Sequence, residues 1–362
     1  MRLFGNKKIH AFGLDISDSS IKVAQIGLHK GQLQSAVFAD VPLLEKTIVN
    51  HLITDESKLA SCISKALKTA KNINTKFVIC SVPEAKSFVR IINIQKIPAS
   101  EIEGAIPFEL EQDIPIPMDQ VYFDWQILHE LPDRLELLVT CTSKDYVDSL
   151  VSALHSIKLT PVAMEIGSQA TARALTGAAQ AAKSVLIVDI GAVATSFIIV
   201  DQGVPLYTSS IPIAGNSFTD SIARNLSVPQ AEAEKIKLSS GVSTQMEHED
   251  TIRQAVLPVL DNIIDEIKNV IRFFEEHSPN HRLIDTILLC GGSSRVPGVM
   301  EYISTRINLG SGKLQIEVAA GNPWSNVLPA SNQGTMPLNA AEALSFSTAI
   351  GLALRGFDYE VE

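Results

Sequence analysis

The chain has 362 residues, 46% of them hydrophobic and 19% charged, with 30 basic against 40 acidic side chains and a formal net charge of −10. At about 150 residues per domain, that length holds about two domains. The apolar content excludes global disorder, and the acid excess argues against general nucleic-acid binding, which needs a basic face to displace counterions.

The cysteines, Cys62, Cys80, Cys141 and Cys290, form no C-x-x-C pair. Neither a zinc knuckle nor a disulfide framework is indicated, and a reducing compartment fits. Residues 1–8 are basic, but Asp15 breaks the following apolar stretch too early for a secretory signal, which predicts a cytoplasmic protein. Residues 184–200 match a bilayer span in length, yet Asp189 and Gly191 sit in their middle; β-branched residues on both flanks predict two buried strands around a turn.

Segments 10–26 (HAFGLDISDSSIKVAQI) and 184–200 (SVLIVDIGAVATSFIIV) share one design: apolar strand, Asp-Ile, small residues, second strand. Asp15 and Asp189 lie 174 residues apart, so each half of the chain opens with the same hairpin and two related domains are expected. Residues 31–42 read as a third strand. Residues 57–72 place Leu59, Ile63, Leu67 and Ala70 on one helical face, and residues 77–82 form a buried strand. A strand at 86–94 follows, then a helix opened by Ser100, with Glu103 completing a capping box and Pro107 kinking it. Paired strands at 121–129 and 135–142, a helix at 144–157 and a strand at 159–165 complete a β-α-β-β-α-β order, the split-βαβ pattern of an inserted α+β module.

The second half adds a strand near 205–211 and a helix near 217–226. A long helix at 251–276 carries Val256, Leu260, Ile263, Ile264, Ile267, Val270, Ile271 and Phe274 at core spacing. A buried strand at 285–290 precedes Gly291-Gly292-Ser293-Ser294 and a helix beginning near Pro297. Residues 320–336 read as a surface loop, and 340–355 as a closing helix of small residues.

A hairpin turn that presents successive backbone N–H groups is an anion site, and an aspartate at its strand end can hold a hydrated magnesium ion. Two such turns facing each other would grip a polyphosphate, with the strand-Gly-Gly-Ser-helix at 288–297 leaving room for a base and ribose. No G-x-x-x-x-G-K-[ST] is present, and His277 and His281, at i,i+4, are separated by Pro279, so a metalloenzyme is not expected.

These residues resemble the actin, Hsp70 and sugar-kinase nucleotide-binding superfamily. Within it the chain is similar to the PilM family of actin-like type IV pilus assembly proteins, related to the FtsA division proteins. GLDISDSSIK (13–22), IPFEL (106–110), AEKIK (233–237), LLCGGSSRVPG (288–298), NPW (322–324) and GLALRGFD (351–358) carry the likeness over nearly the whole length. The resemblance implies an α/β, actin-like (ribonuclease H-like) two-lobed fold with a duplicated core. Lobe 1 would take residues 1–83, completed by 159–183 and 340–362. An inserted α+β subdomain, 1C, would take 84–158, and lobe 2 residues 184–339, with its 2B insert at about 226–284.

The same resemblance implies bound ATP or ADP with Mg2+. Lys22, Ser19 and Ser20 would serve the phosphates, Asp15 and Asp189 the magnesium, and Gly191 and Thr195 the second phosphate turn. Gly215 and Asn216 would lie near ribose and phosphates, Glu234 and Lys237 would touch the adenosine, and Gly291, Gly292 and Ser293 would form its floor. Glu165 and Gln169 are the weak candidates for orienting an attacking water. The family loop reads D-I-G-S, whereas Ser17 and Asp18 follow Ile16 here, and like charges a few ångströms apart cost on the order of several kcal/mol at intermediate dielectric. Asp18 either adds that repulsion, points outward or helps bind magnesium. Ala214 also stands where relatives carry a glycine, so hydrolysis is expected to be slow or absent. The implied partner is the cytoplasmic tail of a PilN-like membrane protein, received at Ile106, Pro107 and Phe108 as an extended peptide. Pilus motor ATPases are further implied partners, and membrane association would come only through the partner. The competing expectations are an FtsA-like division protein, disfavoured by the short acidic end GFDYEVE, and a small-molecule kinase of the same fold.

Overall fold

The computed structural model describes residues 10–29, 32–111, 114, 116–242, 249–278, 281–309, 315–327 and 337–356. The chain groups into two compact units. The first takes residues up to Gln25, Val37–Gly167 and those from Arg355 onward; the second takes Ile26–Ala36 and Ser168–Leu354.

The first begins with β1 (Phe12–Ile16), β2 (Ser20–His29) and β3 (Gln32–Pro42), a meander of which Ile26–Ala36 is grouped with the second. A small hairpin of β4 (Ile48–Val49) and β5 (Leu52–Ile53) follows, then α1 (Glu56–Ala70) and β6 (Phe77–Val82). Asp55 caps α1 by accepting from the Lys58 amide at 2.9 Å, a contact worth about 1 kcal/mol. The β4–β5 loop is two residues long, Asn50 and His51, both with positive φ (51° and 60°). That is the signature of a type I′ turn, which favours Asn-Gly and costs a non-glycine residue about 1 kcal/mol.

The insert holds β7 (Ser87–Gln95), α2 (Ala99–Leu110), β8 (Val121–Glu130) and β9 (Arg134–Ser143), with sheet order β7-β9-β8. It has its own core, built from Ile92, Ile94, Ile102, Ile106, Leu110, Leu137 and Val139. The split-βαβ expectation is overturned here. The last strand, β10 (Thr160–Ile166), pairs parallel to β6, and α3 (Lys144–Ser156) buries Tyr146, Leu150 and Leu154 in the core of the large sheet. Nor does Ser100 open α2 with a capping box. Pro98, extended at ψ 144°, stands at the N-cap with no side-chain cap, and its carbonyl takes the Glu101 amide.

The second unit opens with α4 (Gly167–Leu175), whose first residue still belongs to the first, and continues through β11 (Ser184–Ile190), β12 (Thr195–Asp201) and β13 (Val204–Ile211). Helices α5 (Gly215–Leu226), α6 (Gln230–Ser240) and α7 (Glu249–His277), strand β14 (Thr286–Cys290), helix α8 (Val299–Asn308) and strand β15 (Glu317–Ala320) follow. The apolar stripe of α7 lies in the core as its spacing predicts, and residues 184–200 are two strands around a turn. Among the described residues, no helix is long and apolar enough to cross a membrane.

The internal duplication is visible in the topology. One five-stranded sheet has the order β10-β6-β1-β2-β3 and the other β13-β12-β11-β14-β15. Read from opposite ends these are one arrangement, an antiparallel meander whose first strand continues into two parallel strands.

The expected loop from 320 follows a strand, β15, absent from the sequence reading, and residues 328–336 lie outside the described ones. The expected helix near Pro297 starts instead at Val299, after a 3₁₀ turn at Gly292–Arg295. The closing helix is two helices, α9 (Ala340–Leu344) and α10 (Ser347–Arg355). Ser345 and Ser347 donate their hydroxyls to the Glu342 and Leu344 carbonyls, competing with helix continuation at the break.

Helix α10 lies directly on α4: a Cβ added at Gly351 would strike the Ala170 carbonyl, and the Thr171 and Thr348 hydroxyls meet at 2.9 Å. The two residues that follow the NPW motif cap the C-terminus of α4. Ser325 Oγ donates to Ala174 O at 3.1 Å, and Asn326 Nδ2 donates to Arg173 O at 2.6 Å and Thr176 O at 2.9 Å. Gly351→Ala therefore forces the two helices apart, and chemical denaturation should show a loss of about 3 kcal/mol, the upper range of overpacking costs.

Candidate functional site

Each unit carries a cluster around one strand-end aspartate. In the first, Asp15 stands opposite Lys22 across the β1–β2 pair, with β6 hydrogen-bonded to the other edge of β1. Ser81 of β6 donates its hydroxyl to Asp15 Oδ1 at 2.9 Å and accepts the Ile16 amide at 2.9 Å, locking the carboxylate to the strand end. Burial raises the Asp15 carboxyl above its ordinary value; Lys22 and the Ser81 hydrogen bond oppose the rise, and Asp40 adds to it.

The connecting turn is held by Ser17. Its amide donates to the Ser20 carbonyl at 3.0 Å, and its hydroxyl accepts from the Ser20 amide at 3.1 Å. Lys22 Nζ donates to Ser20 Oγ at 3.0 Å, so Ser20 and Lys22 form one polar patch with Ser19 beside it. Asp18 turns to the β4–β5 hairpin, where its Oδ2 lies 2.9 Å from His51 Nδ1. Beneath this turn, the buried phenol of Tyr146 is pushed up first by burial, then by Cys80, Asp18 and Asp15.

In the second unit, Asp189 stands opposite Ser196 on β12 and beside Cys290 on β14. Burial, with Asp189 next to it, pushes the Cys290 thiol up. Gly291 has φ +84°, and a Cβ there would collide with Asp189 Oδ1 and the Ile190 carbonyl; only glycine lets this loop lie against the carboxylate. Gly292 is exposed, with nothing within 4 Å of its Cβ position.

Gly215 is the hub of this cluster. Its amide donates to the Gly191 carbonyl at 3.1 Å, Asn216 N donates to Ala192 O at 2.8 Å, and Ser293 Oγ donates to the same Gly191 carbonyl at 2.8 Å. The leading amides of α5 thus fix the turn instead of projecting as an anion site. Lys237, 4% exposed, reaches Gly215 O at 3.2 Å, Thr219 Oγ1 at 3.1 Å and Glu234 Oε2 at 2.7 Å. Those three acceptors use all three ammonium donors. The Thr219 hydroxyl is 2.6 Å from the same Glu234 oxygen. Ala214, at the α5 N-cap, has φ −162°, an extended conformation open to any residue, so the missing glycine costs no strain.

Other predicted residues are placed differently. Thr195 is fully buried and donates to the Ile213 carbonyl at 2.6 Å, so it braces the turn. Glu165 is buried against Arg355, 2.6 Å away, which commits this carboxylate to an ion pair; Gln169 is half-buried on α4. Ile106 is fully buried in the insert core, because its spacing with Ile102 and Leu110 puts it on the inward face of α2, away from the surface where Phe108 lies. Phe108 is 76% exposed, with Pro107 half-buried beside it. Phe357 and Asp358 of the GLALRGFD motif lie outside the described residues. Sequence reasoning missed Ser81, His51, Thr219 and Tyr146; of these, only Thr219 carried a local signal, one helical turn after Gly215.

A family model described as type IV pilus assembly protein PilM matches residues 13–357. The fold is similar to a solved PilM–PilN type IV pilus biogenesis complex, at 24% identity and a TM-score of 0.81, covering 97% of this chain and 99% of that one. MreB5 of Spiroplasma citri bound to AMPPNP is similar at 13% identity and a TM-score of 0.54, covering 95% of each chain. By sequence, the cell division protein FtsA of Buchnera aphidicola subsp. Baizongia pistaciae is 23% identical, over 95% of this chain and 87% of that protein.

The raised Asp15 carboxyl fixes a sign. Between the ordinary carboxylate value and the raised one, the folded chain binds more protons than the unfolded chain, so the Asp15 contribution to stability falls as pH rises. Asp15→Asn should unfold at higher denaturant than wild type at pH 7, with the gain shrinking toward pH 4. A less stable variant at pH 7 would mean that the Lys22 attraction outweighs burial.

Proposed function

Because the chain belongs to the PilM family of type IV pilus assembly proteins, we propose that it acts as an actin-like nucleotide-binding adaptor, loaded with ATP or ADP and magnesium, that receives the cytoplasmic tail of a PilN-like membrane protein. The observation that carries the nucleotide reading is the duplicated strand-end aspartate. Asp15 and Asp189 occupy equivalent places in two sheets of one topology, each beside a small-residue turn.

The residues fit the proposed ligands. A strand-end carboxylate suits magnesium, which keeps several waters and takes few protein oxygens, and Asp15 and Asp189 are each assigned to that role. Lys22 with Ser19 and Ser20 is assigned to the phosphates. The open space at Gly292, in the loop whose Ser293 bonds the Gly191 carbonyl, is assigned to the nucleoside, and the half-exposed Glu234 is assigned to it as well. Bound magnesium would neutralise phosphate charge; Lys22 would add a cation, and the Gly215 hub would hold the second turn rigid so that binding needs little rearrangement. Glu165 is committed to Arg355, which supports slow or absent hydrolysis and an output of assembly.

The 1C role is assigned to the insert bearing α2, and its contact to the exposed Phe108, with Ile106 only supporting the helix. Membrane association comes through the partner, which keeps this chain on the cytoplasmic face; the motor ATPases are assigned as further partners.

Calorimetry with ATP and magnesium should show binding in wild type that Asp189→Ala abolishes. A synthetic partner-tail peptide should bind with a separate isotherm. Phe108→Asp should weaken that peptide by about 30-fold or more, as expected for an interface anchor, while ATP affinity and thermal stability stay unchanged. Loss of all three together would instead make Phe108 a structural residue.

A further inference from the structure

The loop between β1 and β2 carries a carboxylate, Asp18, beside the residues assigned to the phosphates. The structure shows what occupies it: Asp18 Oδ2 is paired with His51 Nδ1 at 2.9 Å, and the two side chains are only 16% and 29% exposed. His51 stands at a position that glycine usually fills. It is the second residue of a two-residue hairpin loop and has φ +60°, where glycine is the favoured choice and a histidine side chain is strained. The same hairpin is tied down by Thr54, whose amide donates to Thr47 O at 2.9 Å and whose hydroxyl donates to Lys46 O at 2.8 Å. The Asp18 end is equally fixed, since the Leu43 amide donates to the Ser19 carbonyl at 3.0 Å. The histidine ring nitrogen is thus carried by a braced turn and meets the one extra carboxylate of the neighbouring loop.

We propose that His51 is a positioning residue for nucleotide binding: it holds Asp18 at the β4–β5 hairpin, so that the carboxylate does not oppose the polyphosphate at Ser19, Ser20 and Lys22. This rests on the nucleotide reading above. Without His51 the carboxylate is free to turn into the loop, where it repels phosphate and competes for Lys22. Asp18 is then tolerated in this loop because the chain supplies its partner from a separate hairpin.

The test separates this role from a structural one, because glycine relieves the turn that histidine strains. His51→Gly should melt at or above the wild-type temperature, yet bind ATP with magnesium about tenfold more weakly in calorimetry, the effect of one carboxylate released toward the phosphates in a partly screened site. Asp18→Asn should bind at least as tightly as wild type, and in that background His51→Gly should change ATP affinity by less than about twofold. His51→Gly binding ATP like wild type overturns the proposal. So does loss of binding in Asp18→Asn, which would make Asp18 a magnesium holder. Absence of ATP binding in all four proteins removes the nucleotide reading and this proposal together, whereas binding that ignores His51 removes this proposal alone.

Discussion

A carboxylate at the end of a strand that is hydrogen-bonded along both edges is held at a fixed place with little water around it, and the two sheets repeat that arrangement. Asp15 sits between an antiparallel and a parallel neighbour, and so does Asp189. In the first unit the burial is offset by Lys22 and Ser81 without being cancelled, which leaves the carboxyl raised. A chain selected for stability alone would place a neutral side chain there. Keeping an ionisable group there lowers stability at neutral pH, the cost that a neutral side chain would avoid.

The second cluster solves a different problem, that of making loops behave as a rigid surface. Three segments distant in sequence, the turn after β11, the start of α5 and the loop after β14, converge on one glycine, and a buried ammonium from α6 closes the group. Lys237 is hydrogen-bonded to three oxygens, so its burial carries no unmet donor. The first two amides of α5 go to backbone carbonyls of the turn. The rigidity comes at the cost of the free helix-end donors that an anion site would otherwise use.

Much of this was legible in the sequence because it is periodic or repeated. The two Asp-Ile hairpins betrayed the duplication, and the 3.6-residue spacing in 251–276 gave the long helix and its buried face. What was not legible is set by partners far apart in the chain. Ser81 reaches Asp15 across 66 positions, and nothing local to either residue announces the pair. The split-βαβ pattern, which counted residues 159–165 as the last strand of the insert, failed for a related reason, whereas the family resemblance had assigned 159–183 to lobe 1. A strand's sequence reports that it is buried, whereas its partner, β6 instead of the insert sheet, is decided by the packing of α3. Ile106 was assigned with Phe108 from a shared motif, although two positions along a helix turn the side chain by more than half a circle.

The pairing of Asp18 with a histidine in a left-handed turn makes two distant positions unequal in what they tolerate. The residues lie on separate elements, so either can be exchanged without touching the other. Replacing Asp18 removes the carboxylate and leaves the histidine with nothing to hold. Replacing His51 leaves the carboxylate beside Ser19 and Ser20 without its partner, so the hairpin position constrains the loop more than the loop constrains the hairpin.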